Sequence, residues 1–129
     1  MLRTRFLVAL VAVALISAAT GSAFATDYKL ELVGKPIRNG ELVDFSVRLV
    51  RADTLASVLD ATLHFDDFNM EPEGMTGSTT VYSLPSNQAG IFSLRVQPVM
   101  GGRWALEVTA DVPGERASVK DTLVVPVPE

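Results

Sequence analysis

Val43-Asp44-Phe45-Ser46-Val47-Arg48-Leu49 is the stretch that decides the fold. An apolar side chain falls at every second position, with Asp, Ser and Arg between them. Side chains on a strand point alternately to its two faces, so this pattern describes a strand with one face in a core and the other in water. The same alternation returns along the chain. Leu59, Ala61, Leu63 and Phe65 alternate with Asp60, Thr62 and His64 over residues 58–65. Phe92, Leu94 and Val96 mark residues 91–97, and Trp104, Leu106, Val108 and Ala110 mark residues 103–112. Residues 28–33 alternate around Tyr28, Leu30 and Leu32, and residues 79–84 and 117–125 read as a short strand and the last strand.

Turn signals separate these runs: Gly34-Lys35-Pro36, Asn39-Gly40, Pro85 to Gly90, Met100-Gly101-Gly102 and Pro113-Gly114. Asp66 to Ser78 reads as a long polar connection, and Pro126 and Pro128 as the end of the last strand. Seven short strands with almost no helical periodicity predict an all-β fold, an antiparallel β-sandwich of immunoglobulin-like type. A small barrel is the other solution. There is no cysteine, so packing must join the two sheets, and Trp104, in register with Leu106 and Val108, is expected at the centre of the core.

The first 25 of the 129 residues have a different character. Residues 6–20 are free of charge, Arg3 and Arg5 precede them, and Ser22-Ala23-Phe24-Ala25 follows with small residues at 23 and 25. A basic start, an apolar middle and a small-x-small site are the parts of a secretory signal peptide, with cleavage expected after Ala25. The apolar run is shorter than the roughly 20 residues of a membrane-spanning helix. Residues 1–25 are therefore read as a signal peptide and 26–129 as the domain, periplasmic or secreted, with no stable membrane span after cleavage.

Of the 11 basic residues two lie in the signal, and all 15 acidic residues lie outside it, so residues 26–129 carry nine positive against fifteen negative charges, a net −6. A nucleic-acid binder needs the opposite balance, because phosphate contacts dominate its affinity. Catalysis has few carriers. His64 is the sole histidine, no thiol nucleophile exists, and neither a Gly-x-Ser-x-Gly turn nor a glycine-rich phosphate loop is present. The chain is expected not to be an enzyme; a hydrolase using His64 is a minor alternative. Asp66, Asp67, Glu71 and Glu73 match no calcium-loop spacing and read as a solvated loop.

The methionines are more specific. Outside the signal there are three, Met70, Met75 and Met100, each in a connection. If consecutive strands run antiparallel, with 58–65 upward, the connection 66–78 lies at the top, 85–90 at the bottom and Met100 again at the top. All three methionines then share one end of the sandwich with the Pro36–Gly40 turn, and His64 lies near that end. Loops gathered at one end form a composite surface. Thioethers are soft, neutral ligands suited to cuprous copper, and a nearby histidine would admit cupric copper. Methionines plugging the open end of a sandwich, and a solvent-facing His64, are the plain alternatives.

Met70-Glu71-Pro72-Glu73-Gly74-Met75 resembles the Met-x-Pro-x-Gly-Met segment of FixH-like and YtkA-like domains. The later run Gly90-Ile91-Phe92-Ser93-Leu94, followed by Val99-Met100-Gly101-Gly102-Arg103-Trp104-Ala105-Leu106, is similar to the second motif of those families. The similarity spans roughly Leu30 to Val125. It implies an exported immunoglobulin-like domain associated with copper efflux or with copper delivery to respiratory oxidases, and it implies Met70, Met75 and Met100 as candidate ligands. His64 joins them on the topology argument alone. Two departures stand out: many members keep a membrane anchor, and others carry further Met or His residues where this chain has Phe68, Asn69 and two aspartates. The expected function is copper binding or delivery, with a membrane or periplasmic partner such as a copper exporter or an oxidase assembly factor. The rival is a structural or interaction module that docks a membrane complex without metal.

Overall fold

The computed structural model describes residues 27–129. The expected signal peptide and its cleavage site, residues 1–25, lie outside the described residues.

Eight strands follow one another: β1 (Tyr28–Asn39), β2 (Leu42–Arg51), β3 (Thr62–Asn69), β4 (Ser78–Thr79), β5 (Val81–Leu84), β6 (Phe92–Val96), β7 (Gly102–Asp111) and β8 (Val119–Val127). A 3-10 turn, Glu71–Glu73, follows β3. The strands form two four-stranded sheets with the orders β1-β2-β6-β5 and β4-β3-β7-β8, and every pairing is antiparallel. β4 and β5 are one run of chain that passes from one sheet to the other at Thr80. Strands that switch sheets in this way make the corners of a sandwich. The fold is thus the expected antiparallel β-sandwich.

The alternating residues face inward as read. Val43, Phe45, Val47 and Leu49 of β2, Leu94 and Val96 of β6, and Trp104, Leu106, Val108 and Ala110 of β7 are all buried. Phe45 of one sheet stacks on Phe68 of the other with ring centroids 5.7 Å apart, and Phe68 stacks on Trp104 at 5.1 Å. This column of three rings crosses the interface and joins the two layers. Each large aromatic side chain buried this way removes apolar surface from water worth about 25 cal/mol per Å².

Four expectations are corrected. Residues 58–61 are not strand: Leu59 is exposed in a turn, and the strand runs from Thr62 to Asn69. Between Phe65 and Asp67 the register against β7 shifts by one residue, a β-bulge at Asp66. The extra residue reverses the alternation, so Phe68 and Met70 point into the core where unbroken period two would have placed Asp67. The first four residues of the expected polar connection, Asp66 to Asn69, are therefore strand. Gly34-Lys35-Pro36 does not end β1; a second register shift, between Val33 and Ile37, absorbs it. Pro126 lies inside β8, paired with Arg103, which is possible because β8 is an edge strand and a missing N–H can face solvent there.

Along one side the sheets are latched. The Leu30 N–H donates to Asp121 Oδ2 at 3.0 Å, and Arg38 Nε donates to the Pro128 carbonyl at 2.9 Å. On the outer face of the first sheet, Arg95 grips Asp44 through two bonds of 2.7 and 2.8 Å, and Arg48 grips Glu31. The planar guanidinium suits such forked contacts. The Asp44 carboxyl is held below the usual range, chiefly by the hydrogen bonds from Arg95.

The candidate metal-ligating end

β3 carries the chain to one end of the sandwich at Asn69 and Met70. The chain then makes a tight loop. The Met70 N–H donates to the Gly77 carbonyl at 2.9 Å, and the Met70 carbonyl accepts from the N–H groups of Glu73 (2.9 Å) and Met75 (3.2 Å). Asn69 Oδ1 accepts from the Glu71 N–H at 3.0 Å. Pro72 sits where a first-turn proline costs no hydrogen bond, and Gly74 closes the turn in the left-handed region at φ 75°. The Met-x-Pro-x-Gly-Met spacing is the sequence of this loop: proline sets its first turn and glycine reverses it, which brings the N–H of Met75 back to the carbonyl of Met70.

The second motif lies against the first. Glu73 Oε2 accepts from the Arg103 N–H at 2.9 Å and from Arg103 Nε at 3.3 Å, and another guanidinium nitrogen of Arg103 donates to the Pro72 carbonyl at 2.9 Å. Gly102 makes this approach possible. A Cβ on it would stand 3.3 Å from Glu73 Oε2, and its φ of 129° is one that side-chain-bearing residues rarely adopt. The Glu73 carboxyl is held below the usual range, first by the backbone N–H of Arg103 and then by its guanidinium. The buried Trp104 donates its ring N–H to the Met100 carbonyl at 3.2 Å, so the backbone of Met100 is anchored on the core.

The topology thus brings Met70, Met75 and Met100 to the same end, together with the Asn39–Gly40 turn of the β1–β2 hairpin. Their exposures differ. Met70 is 3% exposed and belongs to the core; a Cβ on Gly77 would stand 3.8 Å from its sulfur. Met75 and Met100 are 49% and 45% exposed, and Val99, which precedes Met100, is 81% exposed.

His64 is not brought to this end. It is the third residue of β3, opposite Thr109, and five residues from Asn69, roughly 15 Å along an extended strand. The cause is the corrected extent of β3: the strand begins later and runs further than its pattern indicates. His64 Nε2 lies 3.2 Å from Asp111 Oδ2, and Ser118 Oγ donates to Asp111 Oδ1 at 2.8 Å. The carboxylate stands between hydroxyl and imidazole, whereas a nucleophilic serine must bond the imidazole itself. These bonds, Ser118 first and then His64, hold the Asp111 carboxyl below its usual range. Among the described residues no group of three or more His, Cys, Asp or Glu side chains is placed to hold a metal ion.

Sequence reasoning missed the Glu73–Arg103 clamp. Both residues lie within the quoted motifs, but nothing local indicates that side chains thirty residues apart will meet.

No curated protein and no solved structure matches the chain. The YtkA-like family model matches residues 22–109, which includes both methionine motifs and strands β1 to most of β7. The chain belongs to the YtkA-like family.

Proposed function

We propose that this YtkA-like domain is exported, binds cuprous copper as cargo through the thioethers of Met75 and Met100, and passes it to a protein partner. The observation that carries the reading is the clamp. Two loops from different parts of the chain each present a half-exposed thioether, and Glu73 and Arg103 fix those loops to each other. Soft neutral sulfur favours the cuprous ion and needs no deprotonation. Two protein ligands leave the ion open to attack by a ligand from the partner, so transfer proceeds by exchange without a free-ion step. Met70 supports the loop from within the core and is not a ligand in this reading. His64 is too remote to share the ion, and the reading assigns no catalysis.

The test is a cuprous titration of residues 26–129 against a competing chelator. The Met75→Leu/Met100→Leu variant is expected to lose the binding that the parent shows, with an unchanged unfolding midpoint. Equal binding by both proteins would overturn the proposal.

The exposed apolar side chains of Met75, Val99 and Met100 at this end favour a second reading, docking of a partner without metal. Leucine preserves apolar area and removes sulfur. Partner capture that survives the double substitution, with no copper bound by the parent, would select docking.

A further inference from the structure

The two long sides of the sandwich are not alike. β1 and β8 are latched by the bonds described above, but the opposite side, between β3 and β5, is an open seam. β4 pairs with β3 only at Phe68 and Asn69. β5 pairs only with β6. Among the described residues, no strand covers the outer edge of β3 from Thr62 to Asp67 or the outer edge of β5 from Val81 to Leu84.

Two cavities lie along this seam and share Phe65. One, about 350 Å³, is lined by Phe65, Asp66 and Asp67 on one wall and by Ser78 to Val81 on the other. The second, about 330 Å³, runs on from Phe65 past Ala61 and Leu59 to Leu84 and Phe92. One half of the groove is therefore anionic and hydroxyl-lined, and the other half sets apolar Leu59, Phe65, Leu84 and Phe92 beside neutral polar side chains such as Ser83 and Ser93. No Lys or Arg lines either cavity.

We infer that this seam is a docking groove for an extended, cationic segment of a partner protein, which adds to the outer edge of β3 as a further strand. An uncovered strand edge presents backbone N–H and C=O groups in the spacing that only another extended backbone matches. The bulge at Asp66 limits regular pairing to Thr62–Phe65. An apolar residue of the incoming strand fills the cavity beside Phe65, Leu84 and Phe92, and a basic residue faces Asp66 and Asp67. Charge selects the occupant: a second copy would bring its own net −6 and the same two aspartates to the groove. This inference does not rest on copper binding.

The probe is a decapeptide alternating Lys and Val, added to isotope-labelled residues 26–129, a span that contains both sheets and the whole core. Two controls accompany it: a Glu-Val decapeptide, and the Lys-Val peptide N-methylated at alternate residues, which keeps its charge but cannot pair. The Lys-Val peptide is expected to shift the amide signals of Thr62–Phe65 and slow their hydrogen exchange. Both controls should bind at least about tenfold more weakly. Asp66→Lys should weaken binding similarly, and so should Thr80→Lys, which places a cation on the facing wall without touching β3. Equal binding by the methylated peptide would reduce the effect to unspecific charge attraction and overturn the inference. Absence of shifts at Thr62–Phe65 would overturn it as well, and so would concentration-dependent shifts of these amides without peptide, which would give the edge to a second copy.

Discussion

Phe68→Ala tests the central packing argument, because sequence pattern and structure give opposite answers for this residue. In the polar connection that the pattern suggests, Phe68 would stand in a solvated loop, and its loss would cost less than about 0.5 kcal/mol, as at ordinary surface sites. In the structure Phe68 is fully buried between Phe45 and Trp104, with centroids 5.7 and 5.1 Å away. Truncating a buried phenylalanine costs about 3–5 kcal/mol through lost transfer energy and the cavity left behind. Two ring stacks, each worth about 0.5–1.5 kcal/mol beyond area, place the expectation in the upper half of that range, about 4 kcal/mol. A domain of this size is stable by about 5–15 kcal/mol, so the variant should fold but be marginal. The assay is urea unfolding followed by the fluorescence of Trp104, the only tryptophan. With an m-value of about 1.5–2 kcal/mol/M, the midpoint should fall by roughly 2–2.7 M. Phe65→Ala, at the half-buried seam position, should cost about half as much in the same assay. A loss below about 1.5 kcal/mol for Phe68→Ala would refute the bulge at Asp66 and the inward turn of the segment that follows it.

Two further outcomes follow from the same geometry. Met70→Leu, a nearly volume-conserving change in the core, should cost less than about 1.5 kcal/mol, and limited peroxide treatment read by mass spectrometry should oxidise Met75 and Met100 well before Met70. Early oxidation of Met70 would contradict its burial. Glu73→Gln tests the clamp through pH. The native Glu73 carboxyl ionises below the usual range, so the stability it contributes is present above the unfolded value of about 4.3 and is lost as pH falls through the native value. Urea midpoints of parent and Glu73→Gln should differ at pH 7 and converge towards pH 3; a gap that persists in acid would show that the variant loses something other than the ionised contact.

The strands that could be read in advance are those whose neighbours do not disturb their period. β2, β6 and β7 carry no inserted residue of their own, since the two register shifts add residues to β1 and β3, and their alternation is continuous from Val43 to Leu49, from Phe92 to Val96 and from Trp104 to Ala110. β3 was legible only in part. Its inserted residue turns a period of two into a spacing of three between Phe65 and Phe68, and Asp66-Asp67 then resembles a loop. That single residue also hid the burial of Met70 and the continuation of β3 to Asn69, which leaves His64 far from the end where it was expected. The shared end of the three methionines was legible, because it depends only on the alternating direction of successive strands. The clamp between Glu73 and Arg103 was not, since it arises from the distant pairing of β3 with β7 that sets the two loops side by side.

The ring column of Phe45, Phe68 and Trp104 also bears on how the domain matures. Immunoglobulin-like domains that rely on a bond between their sheets must wait for an oxidant, and can be trapped by wrong thiol partners. This chain has no thiol at any position, and its layers close by packing and hydrogen bonds without a covalent bond between them. Its assembly therefore needs no oxidase or isomerase and proceeds alike in reducing and oxidising surroundings.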